Sequence, residues 1–268
     1  MKIAAIQMVS GTRVEDNLDV ARQLLGQAAA QGAELAVLPE YFCIMGRKDT
    51  DKLQFQETPG QGLIQDFLSR SARELGLWIV GGTLPMATAD AGRARNSSLA
   101  YAPSGECVAR YDKIHLFRFA QGREDYDERR VLEPGTQPVR FELASRDGHV
   151  YIVGMSICYD LRFPELYRAL KADLLLVPSA FTYTTGQAHW EVLLRARAIE
   201  NQAYVLAAAQ GGTHENGRHT WGHSMVVDPW GQVLAERAEE AGVVMAEVLS
   251  ANLQGVRERL PALTHCVL

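Results

Sequence analysis

VYIVGMSICYDLRFPELYRALKADLLLV, residues 150–177, is the stretch whose reading decides the fold. Val150–Met155 reads as a buried apolar strand. Pro164–Lys171 reads as a helix, because proline suits a first helical turn, and Asp173–Val177 reads as a second buried strand. The pattern continues outward with helical spacing over Gln187–Asn201 and a strand over Ala203–Ala208. The N-terminal part repeats it: Lys2–Met8 strand, Glu15–Gln31 helix, Glu34–Leu38 strand, Gly62–Leu75 helix, Leu77–Gly81 strand. Each β-α-β-α-β run is followed by a hairpin. Ser98–Tyr101 and Val108–Tyr111 flank Pro103-Ser104-Gly105, while Met225–Val227 and Val233–Ala235 flank Pro229-Trp230-Gly231. Proline two residues ahead of glycine suits a tight turn. The alternation predicts an α/β layered fold with two similar, pseudo-symmetric halves packed face to face. No Gly/Ser-rich linker divides them, so residues 1–268 are expected to form a single domain.

Composition narrows the function classes. The chain has 268 residues, 47% of them hydrophobic, enough for a sizeable core. The formal net charge of −5 disfavours a nucleic-acid surface. No apolar run is long enough to cross a bilayer, so no membrane partner is expected. The N-terminus, MKIAAIQMVSGTRVEDN, turns polar without a small-residue cleavage site and reads as a first strand rather than a signal peptide. A cytoplasmic protein is expected. Cys43, Cys107, Cys158 and Cys266 are scattered without any C-x-x-C spacing, so each is read as a free thiol.

Cys158 differs from the other three by its position. It stands at the carboxyl end of a buried strand ahead of a helix, where open α/β sheets place their ligands. Backbone N–H groups there can hold an oxyanion. A serine elbow is excluded, since Gly154-Met155-Ser156 would need glycine where Cys158 stands. A thiol nucleophile needs a base, and an amide reaction needs a donor for the developing oxyanion. His214, His219 and His223 fall in what reads as a Gly-rich loop without a cysteine or carboxylate partner, so solvated or locally bonded histidines are expected and no metal. His115 and His189 have no evident orienting aspartate. Glu40 follows the strand run Leu35-Ala-Val-Leu-Pro, and Lys113 follows the hairpin strand in Arg110-Tyr-Asp-Lys. Singly, each reads as a surface charge beyond a strand. With Cys158 they supply a base, a cation and a nucleophile, each at the end of a β element.

Three segments carry a resemblance: Leu38-Pro39-Glu40, Tyr111-Asp112-Lys113-Ile114-His115-Leu116, and Cys158-Tyr159-Asp160-Leu161-Arg162-Phe163-Pro164-Glu165. They resemble, in order and spacing, the three catalytic motifs of the nitrilase superfamily of carbon–nitrogen hydrolases. The similarity runs from the first strand to Arg259-Leu260-Pro261. Tyr126-Asp127-Glu128, seven residues ahead of Gly135, resembles the family segment with a second active-site glutamate, with Glu124 and Glu133 as competitors. Pro178–Phe181, Ala188–Asn201 and Gly222–Gly231 look closest to the deaminated glutathione amidase branch, with the ω-amidase branch similar over the same stretches.

The resemblance implies a four-layer α-β-β-α sandwich, association into a homodimer or larger homo-oligomer, and thiol-dependent hydrolysis of a small amide. Glu40 would be the base, Cys158 the nucleophile, and Lys113 with the Tyr159 N–H the oxyanion partners, with Glu128 beside them. Phe181, Thr182 and Thr185, in a segment read as a loop through Gly186, are candidate substrate contacts along with Tyr159. No cofactor is expected, because Gly81-Gly82 lacks a phosphate-cradling context. The rival readings are an ω-amidase, a metal-dependent hydrolase built on the histidine segment, and a non-catalytic binding protein on the same fold.

Overall fold

A computed structural model describes residues 1–122 and 124–267, apart from the side chain of Glu124. The first half runs β1 (Lys2–Gln7), α1 (Val14–Ala30), β2 (Leu35–Val37), α2 (Leu63–Leu75), β3 (Trp78–Val80), β4 (Leu84–Ala87), β5 (Ala94–Tyr101) and β6 (Cys107–Asp112). A small hairpin follows, β7 (Arg118–Gln121) with β8 (Glu124–Asp127). The second half runs β9 (Val139–Ala144), β10 (Val150–Met155), α3 (Pro164–Leu170), β11 (Leu174–Leu176), α4 (Tyr183–Asn201) and β12 (Tyr204–Ala207). It ends with β13 (Gly211–Thr213), β14 (His219–Trp221), β15 (Ser224–Val227), β16 (Val233–Arg237), β17 (Gly242–Glu247) and α5 (Ser250–Arg259).

Two sheets share one plan. In the first, β1, β2 and β3 are parallel, β17 closes one side antiparallel to β1, and β5 continues antiparallel beyond β3. β5 is long enough to pair with both β4 and β6. In the second, β10, β11 and β12 are parallel, flanked by antiparallel β9 on one side and by β15 with β16 on the other. The two halves anticipated from the alternation are thus present. The strands β4, β9 and β17, helix α5 and two small hairpins add to them.

Side-chain alternation fixes the layers. Along β1, Ile3 and Ala5 join a core that also holds Leu143, Val153 and Val205 of the second sheet. Their neighbours Ala4 and Ile6 pack instead with Leu18, Ala21, Leu25 and Phe67 of α1 and α2. Strands buried on both faces are continuously apolar, which is why they read so plainly. On the far side, Trp190, Leu194 and Ala198 of α4 pack on the second sheet. The order is helices, sheet, sheet, helices. Among the described residues no helix is long and apolar enough to cross a membrane.

One expectation needs correction at the start of α4. The helix begins at Tyr183 rather than Gln187, so the segment Phe181–Gly186 is a helix entry and not a loop. Thr182 caps it, its side chain accepting from the Thr185 N–H at 3.4 Å. Gly186 disguised the turn. It lies inside the helix because a Cβ there would run into Trp221 of β14.

Candidate active site

Glu40, Lys113 and Cys158 meet at one end of the paired sheets. Glu40 lies three residues beyond β2, Lys113 follows β6 directly, and Cys158 opens a short 3-10 turn, Cys158–Arg162, just past β10. All three are buried: Glu40 and Lys113 are each 1% exposed and Cys158 is 7% exposed. One Glu40 oxygen accepts from Lys113 Nζ at 2.8 Å and from Asn96 Nδ2 at 2.8 Å. The other accepts from the Ala180 N–H at 3.0 Å.

Lys113 stands between two carboxylates, because Glu128 reaches the same ammonium at 2.8 Å. Glu128 also accepts from Tyr41 Oη at 2.7 Å and from the Phe117 N–H at 2.7 Å. Glu133 faces Arg95 at 3.9 Å, and the Glu124 side chain lies outside the described residues. Burial works to strip the Lys113 proton, yet the Glu128 and Glu40 charges outweigh it and hold its pKa well above the ordinary lysine value. Burial pushes Glu128 up, but Lys113 more than offsets it and the carboxyl ends below its usual range.

Cys158 is a protonated thiol in this setting. Burial, then the Glu40 charge, raise its pKa well above the ordinary value, with Lys113 opposing. The residue is also strained, with φ at 50°. Among the described residues the Tyr159 backbone N–H beside it finds no acceptor.

These groups line one pocket with Tyr41, Phe117, Tyr159, Arg162, Phe181 and Arg218. Tyr159 and Phe181, two of the candidate substrate contacts, are among the residues that line it. Thr182 and Thr185 line it too, but their hydroxyls bond each other at 2.9 Å as part of the α4 cap.

The histidines part company. His214 is buried, not solvated, with one ring nitrogen 2.9 Å from the Ser10 carbonyl and the other 2.7 Å from Thr220 Oγ1. His219 lies in β14 and stacks on Tyr183, and His223 pairs with Glu236. The three do not converge on a common centre. His115, expected to lack an orienting aspartate, has one: Asp160 Oδ1 lies 2.7 Å from its Nδ1. Sequence reasoning also missed Asn96, Tyr41 and the Ala180 N–H. Asn96 stands among polar neighbours in Ala94-Arg95-Asn96-Ser97-Ser98, so nothing local marked it out.

Comparison with known proteins places these features. The carbon–nitrogen hydrolase family model matches residues 2–258. A Synechocystis protein named deaminated glutathione amidase is 43% identical, across 98% of this chain and 97% of its own. The human protein named omega-amidase NIT2 is 36% identical, across 97% of this chain and 92% of its own. The crystal structure of the C. elegans NitFhit protein superposes with a TM-score of 0.88 at 36% identity, covering 99% of this chain and 65% of that longer one.

Proposed function

The chain belongs to the carbon–nitrogen hydrolase family, and on that premise we propose that it is an amidase working through a Cys158 thioester, with Glu40, Lys113 and Glu128 as the supporting charges. The observation that carries the reading is the Glu40–Lys113–Glu128 cluster, with Glu40 and Lys113 fully buried, lining the same pocket as the Cys158 thiol. Glu40 takes the thiol proton as sulfur bonds to the amide carbon, and the carbonyl electrons move to oxygen. An ammonium has three N–H donors. Two of those on Lys113 serve the carboxylates, and the third meets the oxyanion together with the Tyr159 N–H. As the C–N bond breaks, Glu40 hands its proton to the departing nitrogen. Glu40 then takes a proton from water as the oxygen attacks the thioester, the C–S bond breaks and the thiol is restored.

The substrate proposed is an amide with an acidic 2-oxo acyl part, deaminated glutathione first. Support comes from the cations of the pocket. Arg218 is tied to Asp49 at 2.7 Å, and Lys52 stands 4.4 Å from the Tyr41 ring centre. Arg162 lies 5.7 Å from the ring centres of Tyr159 and Phe181 and meets the His189 ring nitrogen at 3.3 Å. Among the described residues no carboxylate pairs with Arg162, so its planar fork can take one from a ligand. Tyr159, Phe181, Thr182 and Thr185 would line the acyl part. The reading extends to one carbon–nitrogen hydrolase domain over residues 1–268, cytoplasmic and working as a homodimer or larger.

The test compares kcat/KM for deaminated glutathione, 2-oxoglutaramate and simple aliphatic amides, with intact-protein mass spectrometry during turnover. An acyl adduct on Cys158 and loss of turnover in Cys158→Ala are expected. Preference for 2-oxoglutaramate moves the protein to the ω-amidase reading. Preference for uncharged amides sinks the acidic substrate and leaves the thioester standing. Full activity in Cys158→Ala sinks both.

A further inference from the structure

Asp160 sits two residues past the nucleophile, wholly buried, and takes no part in the chemistry described above. Its two oxygens receive four donors. Oδ2 accepts from Tyr111 Oη at 2.7 Å and from the Ile157 N–H at 2.9 Å. Oδ1 accepts from the His115 N–H at 3.0 Å and from His115 Nδ1 at 2.7 Å. A carboxylate oxygen only accepts, so Nδ1 carries the ring proton. Phe163 fixes that ring from one face, the two stacking at 3.6 Å with 7° between planes.

The placement of these donors along the chain matters more than their number. Tyr111 and His115 bracket Lys113, two residues to either side. Ile157 immediately precedes Cys158. A single buried carboxylate therefore joins the segment carrying the ammonium to the turn carrying the thiol. It also closes that turn. Besides accepting from the Ile157 N–H, Asp160 donates its own N–H to the Ile157 carbonyl at 3.0 Å. Cys158, held at φ 50°, is clasped between the two. A side chain in the left-handed region persists only where its surroundings over-determine it, and these two bonds do so.

We infer that Asp160 is a positioning residue for the reaction, setting the Cys158 sulfur against Lys113 and Glu40 through Tyr111, His115 and the Ile157 N–H. The inference rests on the Glu40–Lys113–Cys158 reading. None of Asp160, Tyr111 and His115 lines the pocket, so the effect belongs in kcat and not in KM. Misplacing reacting groups by about 1 Å costs on the order of a hundredfold in rate.

The experiment uses the full chain as Asp160→Asn and Tyr111→Phe, with Cys158→Ala alongside. It reads kcat per alkylatable site, KM, the rate of Cys158 alkylation by iodoacetamide, and the melting temperature. Asp160→Asn puts a donor where two donors already point. It is expected to lower kcat about a hundredfold with KM little changed, and to slow alkylation in step. Tyr111→Phe removes one arm and is expected to cost about tenfold in kcat, with alkylation slowed less. A purely structural role would lower the melting temperature and the fraction of active sites while kcat per site held. That result overturns the inference, as does a rise in KM at constant kcat. Should Asp160→Asn fail to fold, a normal kcat in Tyr111→Phe overturns it alone. Activity surviving in Cys158→Ala would instead remove the reading beneath it.

Discussion

At Lys113 one ammonium answers two carboxylates, buried Glu40 and part-buried Glu128, and this balance gives the residue a structural part beside its proposed chemical one. Taking one partner from a buried ion pair costs about 3–5 kcal/mol, because the remaining charge is left uncompensated. Lys113→Met is therefore expected to lower the urea midpoint, and turnover is expected to fall by at least the roughly hundred- to thousandfold of a lost oxyanion donor. Adding Glu128→Gln should return part of the stability and none of the activity. Near-normal kcat in Lys113→Met would show that the oxyanion role is wrong. The same groups set a stability profile against pH. Glu128 is depressed below 4.5, so its contribution is present above that value and lost as pH falls through its folded pKa. Lys113 is raised above 10.5 and Cys158 above 9.0, so their contributions are full below those values and are lost as pH rises. Burial also holds His214 below 6.5, so urea midpoints should hold steady from about pH 7 to 9 and drop on both sides. A midpoint that climbed steadily above pH 9 would contradict the raised thiol.

Among the elements, the ends of β2, β6 and β10 each deliver one group to the site, and this much was legible in the sequence. Glu40 and Cys158 stand out because they follow short apolar runs that are largely buried, whereas Lys113 follows the mixed, half-exposed strand Cys107–Asp112 and was legible through the motif around it. What joins those ends was not legible, since it depends on contacts distant along the chain. Glu128 could not be told from Glu124 or Glu133 by spacing. Among the described residues, Tyr41, 87 residues away, and Lys113 both meet Glu128. Asn96 reaches Glu40 across 56 residues, and the Ala180 N–H across 140. The entry to α4 was misread because Gly186 signals a loop locally, whereas tight packing on Trp221 demands it. Gly82 is a similar case next to Glu40. Its φ is +46°, and a Cβ would strike the Pro39 carbonyl oxygen. Gly82→Ala is expected to shift Pro39 and Glu40 and cut kcat about tenfold or more. Gly76→Ala is the control, since that glycine also has positive φ, 61°, but open space around it. It should lose only about 1–2 kcal/mol of stability and keep its kcat. Equal kcat in the two variants would discount the contact with Pro39.

Across the whole molecule, the outer helices are the layer whose far side faces away from both sheets. The α4 helix buries Trp190, Leu194 and Ala198 inward, yet Val192 is 62% exposed and Ile199 is 49% exposed. Trp230, in the turn between β15 and β16, is 60% exposed. The turn lies against the helix, because a Cβ on Gly231 would meet the Ile199 side chain and Arg195 Nε donates to the Gly231 carbonyl at 2.9 Å. Single exposed apolar residues are ordinary, but three on one continuous face form a patch that a second copy could cover. We propose this face as the contact of the homo-oligomer. Light scattering is expected to return at least twice the 29.6 kDa chain mass at micromolar concentration. Val192→Asp combined with Trp230→Asp should shift it towards 29.6 kDa, since two charges buried across a symmetric contact face their own copies. Glu40, Lys113, Glu128 and Cys158 all come from one chain, so turnover per chain in the monomeric variant should stay within several-fold of the parent. A parent protein that runs as a monomer would end the oligomer proposal. A variant that stays assembled would move the contact to another face.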